Sequence, residues 1–320
     1  ITKLNNMLRP FDKKILMWGD IVCNHPQIIK KLPVDITVIA WGYHPAESFD
    51  YAITPISTTG LNFWIAPGIN CWRNIYPDLT DAEINIYNFI RDGYKFKTSG
   101  VLNTSWDDDG FNFFQNNWHG LIWGAENCWN APPSFPTFEE SDTEREKIYN
   151  QFNNSFDAIF YELTNDSLIN DIIAFSKLKS FGVKDIFNNN QLFDDIFPIH
   201  KDLISNDKRL KNIAILSKVD SIKASVISKK SLIKQNQITI NYLELAFQQV
   251  QFNALKNILR IDLFKYLNNE SSKPVSELKK DIEYLVILAK DIKSAYAILW
   301  QYENRDYWLS VNMKKYDELI

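Results

Sequence analysis

The first 130 residues alternate short apolar runs with segments of helical spacing, and this alternation limits the folds open to the chain. The clearest helix covers residues 81–96, where Thr80 is the expected N-cap and Glu83 completes a capping box. Short apolar strands separated by helices are typical of a parallel sheet buried on both faces. Four such runs are present, at residues 14–18, 35–41, 62–66 and 99–104.

Four strand–helix units in this length equal half of a (β/α)8 barrel. The predicted fold class is therefore α/β, the second half of a TIM-type barrel, followed by an all-α domain. A small doubly wound sheet is the alternative. Because the chain does not begin with Met, we interpret Ile1 as a truncation point, with the first half of the barrel expected upstream. The cellular compartment is not predicted.

The composition changes near residue 130. Nine of the ten glycines lie at or before Gly124, and residues 130–137 hold three prolines among small and polar residues. Such a segment interrupts helices and is typical of a domain boundary. We therefore predict a half-barrel over residues 1–136 and a helical domain over residues 137–320.

Helical periodicity dominates the second part of the sequence. Apolar residues recur every three or four positions through residues 242–267 and again through residues 278–300. This spacing is typical of amphipathic helices. A bundle core explains both stripes better than a ligand-binding face does. A further helix is expected over residues 110–128.

The bulk properties exclude several classes of protein. The net charge is −4 with mixed signs, without the basic stripe of a nucleic-acid surface. No apolar run approaches the roughly 20 residues of a membrane span. The histidines have no ligand spacing and no glycine-rich phosphate loop is present. The sequence thus predicts no nucleic-acid partner, no membrane span, no metal and no cofactor.

Tryptophans are concentrated where apolar runs give way to polar turns. Eight of the ten tryptophans lie in the first 130 residues. In a strand, residues i and i+2 share a face, so a polar residue two positions after a tryptophan would point the same way. A flat apolar ring beside a hydrogen-bonding group suits a pyranose, which has a C–H-rich face and a hydroxyl-rich rim. The predicted substrate-binding residues are Trp18, Asp20, Trp41, Tyr43, Trp72, Trp106 and Asp108.

The acidic run Asp107-Asp108-Asp109 has two interpretations. Calcium loops of the EF-hand type place carboxylates at alternate positions, whereas consecutive carboxylates point in different directions. A metal site is therefore not predicted here. We expect Asp107 or Asp109 to cap the following helix, while Asp108 reaches a ligand.

Several segments resemble the second half of glycoside hydrolase family 20, the β-N-acetylhexosaminidases whose barrel is followed by a helical domain. The segments follow one another in the order of barrel strands five to eight. They are Met17-Trp18-Gly19-Asp20-Ile21, Val38-Ile39-Ala40-Trp41-Gly42-Tyr43, Phe63-Trp64-Ile65-Ala66-Pro67-Gly68-Ile69-Asn70-Cys71-Trp72 and Gly100-Val101-Leu102-Asn103-Thr104-Ser105-Trp106-Asp107-Asp108-Asp109-Gly110.

The resemblance implies a retaining mechanism in which the 2-acetamido oxygen of the substrate attacks the anomeric carbon. It implies that Trp18, Trp41 and Trp106 form a wall around the terminal sugar, and that Asp108 binds outer hydroxyls. Tyr43 is a candidate for bonding the acetamido oxygen as it becomes an oxazolinium. The family's Asp-Glu acid/base pair follows the fourth strand, upstream of Ile1, so no catalytic residue is assigned in this chain.

The expected function is thus a fragment of an exo-β-N-acetylhexosaminidase acting on terminal GlcNAc or GalNAc, inactive alone. One alternative is a non-catalytic carbohydrate-binding or degenerate barrel protein. Another is a glycosidase that uses Asp20 and Asp108 as its two carboxylates, about 5–5.5 Å or 6.5–9.5 Å apart. An open half-barrel exposes sheet edges, so self-association into a homo-oligomer is also expected.

Overall fold

The computed structural model describes residues 1–108, 110–130, 138–164, 166–197, 204–270 and 273–320. The chain forms two compact units. The first consists of Ile1–Asn70, Leu79–Trp106 and Asn117–Phe152, and the second of Cys71–Asp78, Asp107–Asn116 and Asn153–Ile320. Most of the predicted boundary at residues 130–137 lies outside the described residues.

The first unit combines a small parallel sheet with helices. Its strands are β1 (Leu16–Trp18), β2 (Thr37–Trp41) and β3 (Asn62–Ala66). Its helices are α1 (Thr2–Leu8), α2 (Asp20–Asn24), α3 (Asp50–Ser57), α4 (Leu79–Lys95) and α5 (Trp118–Trp129). Helix α6 (Phe138–Phe160) begins in the first unit and ends in the second.

The sheet has the order β1-β2-β3, and both pairs are parallel. Trp18 pairs with Ile39, and Trp41 pairs with Ala66. Four residues of β2 are buried before its exposed final residue, Trp41. Because the strands are parallel, their carboxyl ends, and the two tryptophans on them, lie at the same edge of the sheet.

The prediction of a half-barrel is wrong. The described residues form a mostly helical fold with one three-stranded sheet, not four strand–helix units. The fourth apolar run pairs with β3 and the residues after it through two isolated parallel bridges, Val101 with Ile65 and Thr104 with Gly68, and forms no strand of its own among the described residues. The ladder is interrupted between them at Pro67, which has no amide hydrogen to donate.

Side-chain packing also holds this fourth run in place. A Cβ on Gly100 would lie 2.5 Å from the ring of Trp64, so the backbone rests directly on that indole. Asn103 Nδ2 donates to the Gly120 carbonyl in α5 at 3.1 Å. The run is thus a connection that packs between the sheet and α5.

The strongest helix predictions are confirmed within a few residues. The periodic stretches 242–267 and 278–300 lie in α10 (Ile238–Leu267) and α11 (Val275–Glu303). Helix α4 begins at Leu79, so Thr80 lies in its first turn and not at the N-cap. The helix expected over residues 110–128 begins only at Trp118, after a 3-10 turn at Phe114–Asn117.

The second unit is built around long helices. Its further helices are α7 (Ile169–Ser176), α8 (Asn190–Phe193), α9 (Asn206–Lys229) and α12 (Leu309–Leu319). A core of buried aromatic and aliphatic side chains joins α10, α11 and α12, and includes Phe113, Tyr242, Leu285, Tyr296 and Tyr316. Among the described residues, every helix is too short or too polar to cross a bilayer.

Candidate functional site

Four of the predicted site residues form one aromatic cluster in the first unit. The ring centroids of Trp18 and Trp106 are 5.8 Å apart, and those of Tyr43 and Trp106 are 6.5 Å apart. Tyr43 also stacks on Trp41, with a centroid distance of 5.1 Å and an interplanar angle of 29°. We call Trp18, Trp41, Tyr43 and Trp106 the aromatic cluster.

The sheet explains why these rings meet. Trp18 and Trp41 are the last residues of β1 and β2, and Trp106 follows the fourth apolar run by two residues. All three indoles therefore leave the sheet at the carboxyl ends of parallel segments. Trp41 and Trp106 are each 40% exposed. Flat apolar surface of the cluster therefore remains open to solvent.

Tyr43 lies in the middle of the cluster. Burial raises the pKa of its phenol, and hydrogen bonds with Trp106 and Thr104 oppose this shift. A Cβ on Gly68 would come within 2.9 Å of the Tyr43 ring, so a larger residue at position 68 would displace it. The phenol is thus neutral at physiological pH and is held in a defined position.

Asp20 supplies a carboxylate next to the aromatic cluster. It is the first residue of α2 and follows Trp18 by two positions. Its Oδ1 accepts a hydrogen bond from the Trp41 indole Nε1 at 3.4 Å. The carboxylate therefore lies at the edge of the Trp41 ring and orients it.

Trp72 and Asp108 belong to the second unit, unlike the aromatic cluster and Asp20. Trp72 is half-buried and Asp108 is exposed. In the same acidic run, Asp107 Oδ1 accepts hydrogen bonds from the amides of Gly110 at 3.2 Å and Asn112 at 3.3 Å. Asp107 thus closes this turn, while Asp109 lies outside the described residues.

One buried asparagine of α4 hydrogen-bonds to both loops that follow β2 and β3. Asn85 is fully buried. Its Nδ2 donates to the carbonyls of Gly42 at 2.8 Å and His44 at 2.9 Å, and its Oδ1 accepts from the Gly68 amide at 2.9 Å. These three bonds fix the backbone on both sides of Tyr43.

Other polar side chains of α4 hold the rest of the loop after β2. Asn88 Nδ2 donates to the Ala46 carbonyl at 2.8 Å, and Arg91 Nη2 donates to the Glu47 carbonyl at 2.7 Å. The sequence reasoning did not assign roles to Asn85, Asn88 or Arg91. The sequence could have indicated them, because they are polar residues at helical spacing in a helix whose other buried positions are mostly apolar.

The described residues contain no group of three His, Cys, Asp or Glu side chains suited to a metal ion. The aromatic cluster and Asp20 offer indole rings, one phenol and one carboxylate. Such groups can stack on an apolar face and bond to hydroxyls or amides.

Comparisons with known proteins add little to this picture. No family model and no curated protein matches the sequence. One similar solved structure is described as a "GH138 enzyme targeting pectin rhamnogalacturonan II", with 10% sequence identity and a TM-score of 0.42. The match covers 92% of this chain and 50% of that one, so this chain spans half its length. A likeness at this level supports no inference, and the resemblance to family 20 rests on the sequence segments alone.

Proposed function

We propose that the first unit binds a saccharide at the aromatic cluster. The observation that carries the proposal is the convergence of three indoles and one phenol, with the Asp20 carboxylate beside them, at the ends of parallel segments. Protein sites for small polar ligands typically combine apolar walls with a few well-placed hydrogen-bonding groups.

The geometry suits the two kinds of surface that a pyranose presents. The partly exposed faces of Trp41 and Trp106 can cover its C–H-rich side. The Asp20 carboxylate lies at the edge of the Trp41 ring, the Tyr43 phenol hydrogen-bonds with Trp106, and both groups can bond to its hydroxyl groups. This division of roles favours a single sugar ring over an apolar ligand.

The sequence resemblance to family 20 suggests a terminal N-acetylhexosamine as the sugar. In this proposal Tyr43 bonds the acetamido oxygen and an indole covers the acetamido methyl. The finer activity that we propose is part of an exo-β-N-acetylhexosaminidase. No acid/base pair is assigned among these 320 residues, so we expect them to bind the sugar without hydrolysing it rapidly.

Calorimetric titration with N-acetylglucosamine tests this function. Trp106→Ala removes one stacking face and should weaken binding about fivefold, because an aromatic contact contributes on the order of 1 kcal/mol. Trp129→Ala is the matched control, since Trp129 is 88% exposed at the end of α5 and belongs to no ring pair of the cluster. It should leave the affinity unchanged.

Two outcomes would count against the proposal. Saccharide affinity that is the same in Trp106→Ala and the native chain would remove the aromatic cluster from the site. Fast turnover of a chromogenic N-acetylglucosaminide by the native chain would contradict the expectation of binding without hydrolysis.

A further inference from the structure

Two aromatic side chains are exposed in the turn between α11 and α12. Tyr307 is 75% exposed and Trp308 is 56% exposed, and their ring centroids are 5.5 Å apart at an interplanar angle of 83°. Rings of this size stabilise a protein mainly through burial, whereas these two leave most of their surface in water. We call Tyr307 and Trp308 the turn pair. It adds little to the core of the second unit and is accessible to a ligand.

The backbone at Trp308 is strained in a way that a glycine would relieve. The Leu309 amide donates to the Asp306 carbonyl at 3.1 Å and closes a turn over residues 306–309. Trp308 is the third residue of this turn, and its φ of +72° and ψ of −12° are close to those of that position in a type II turn. Glycine or asparagine is usual there, and a bulky side chain at positive φ is an outlier. Strain of this kind clusters at functional sites.

Hydrogen bonds fix the turn on both sides of the pair. Before it, the Trp300 indole Nε1 donates to the Arg305 carbonyl at 2.6 Å. After it, the amides of Val311 and Asn312 donate to the Trp308 carbonyl at 3.0 and 3.1 Å. The two rings are therefore carried on a backbone that is already ordered, which lowers the entropy lost when a ligand binds.

The residues beside the turn pair carry hydrogen-bonding groups. Arg305 and Asp306 directly precede it, Ser310 is the next exposed residue after it, and all three are exposed. The Tyr307 phenol adds a hydroxyl group of its own. Apolar ring faces next to hydroxyl, carboxylate and guanidinium groups match the C–H-rich face and the hydroxyl-rich rim of a pyranose. Contact sites for another protein are instead centred on fully desolvated apolar surface, so the polar neighbours favour a sugar.

We propose that the turn pair is a second saccharide-binding site, formed by the second unit alone. The Trp308 indole lies against the C–H-rich face of one sugar ring, and the Tyr307 phenol bonds to a hydroxyl group of the same ring. Because the pair lies on an exposed turn and does not enclose the end of a sugar, it takes an internal residue of an oligosaccharide. The identity of that sugar, an N-acetylhexosamine, rests on the proposed function.

Affinity electrophoresis tests this site, in gels that contain increasing amounts of glycol chitin, a soluble polymer of N-acetylglucosamine. The polymer should retard the native chain. Trp308→Gly should weaken the affinity of the turn pair about fivefold, because one aromatic contact is lost. It should also unfold at a temperature at least as high as the native chain, because glycine accepts the positive φ without strain. A tryptophan with only a structural role would not give lower affinity together with undiminished stability.

Two variants of the first unit serve as controls. Trp129→Ala removes another highly exposed indole and should leave the retardation unchanged. Trp106→Ala removes an indole of the aromatic cluster and separates this site from the proposed function. Retardation that persists in Trp106→Ala and falls when Trp308→Gly is added supports the second site, whether or not the aromatic cluster binds sugar.

Three results would overturn the proposal. One is retardation that Trp308→Gly leaves unchanged both in the native chain and in Trp106→Ala, which would leave the proposed function standing. Another is retardation that Trp129→Ala weakens as much as Trp308→Gly does. The third is self-association in sedimentation velocity that Trp308→Gly abolishes without any effect on retardation, because the turn pair would then be a contact between copies of the chain. If Trp308→Gly does not fold, Trp308→Asn takes its place, since asparagine also tolerates positive φ.

Discussion

At the scale of single residues, the aromatic cluster depends on a buried polar side chain that is not part of it. Tyr43 stacks on Trp41 and meets Trp106 at a tilt, and the backbone on both sides of it is positioned by Asn85. Asn85 accepts from the buried Gly68 amide and donates to the buried Gly42 carbonyl and to the His44 carbonyl. The partly exposed aromatic cluster is thus held in place by a fully buried amide.

Replacing Asn85 should therefore be costly. Asn85→Ala removes the bonds to the buried Gly42 carbonyl and the buried Gly68 amide, so the free energy of unfolding should fall by about 2–4 kcal/mol. Urea unfolding measures this change. Asn24→Ala, at the exposed end of α2, is the control and should cost less than about 0.5 kcal/mol. Equal losses in the two variants would contradict the role assigned to Asn85.

At the scale of elements, ion pairs join the helices of the second unit. Asp262 in α10 accepts two hydrogen bonds from Arg209 in α9, at 2.7 Å from Nε and 3.0 Å from Nη2. Lys273, just before α11, donates to the same carboxylate at 3.0 Å. Burial works to raise the pKa of Asp262, but the bonds and charges of Arg209 and Lys273 hold it below its usual value.

This ion pair predicts how stability depends on pH. Because the folded pKa of Asp262 lies below its unfolded value of about 4, its stabilisation is present above that pH and is lost as the pH falls through the folded pKa. Asp262→Asn should lower the free energy of unfolding at neutral pH by roughly 3 kcal/mol. It should also flatten the acid limb of a stability–pH curve.

Asp207→Asn is the matched control for Asp262, because Asp207 pairs with Lys211 on the exposed surface of α9. Exposed pairs contribute about 0–1 kcal/mol, so this variant should remain close to the native stability. An unchanged acid limb in Asp262→Asn would show that the carboxylate is not stabilised by its neighbours.

At the scale of the whole molecule, individual helices and strands could be predicted from the sequence, but the way they assemble could not. The long periodic stretches of α10 and α11 and the three apolar strands could be predicted, because each depends on spacing within one segment. The half-barrel could not, because the pairing of the fourth run with the segment that follows β3 is interrupted at Pro67, and the run packs on Trp64 and α5. The aromatic cluster follows from parallel strands alone and does not need a barrel.

The predicted self-association also belongs to this scale. Strand β1 is an edge of the sheet, and unpaired edges favour pairing with another chain. Sedimentation velocity over a range of concentrations should show a larger species as the protein concentration rises. A single monomeric species at all concentrations would contradict the prediction.

We propose that a sugar ring lies against the indole faces of the aromatic cluster, and saturation-transfer NMR with N-acetylglucosamine tests this most directly. Protein saturation should reach the ring C–H protons and the acetamido methyl strongly, and the effect should be lost in Trp106→Ala but kept in Trp129→Ala. Weak transfer spread evenly over all sugar protons, unchanged in Trp106→Ala, would contradict it.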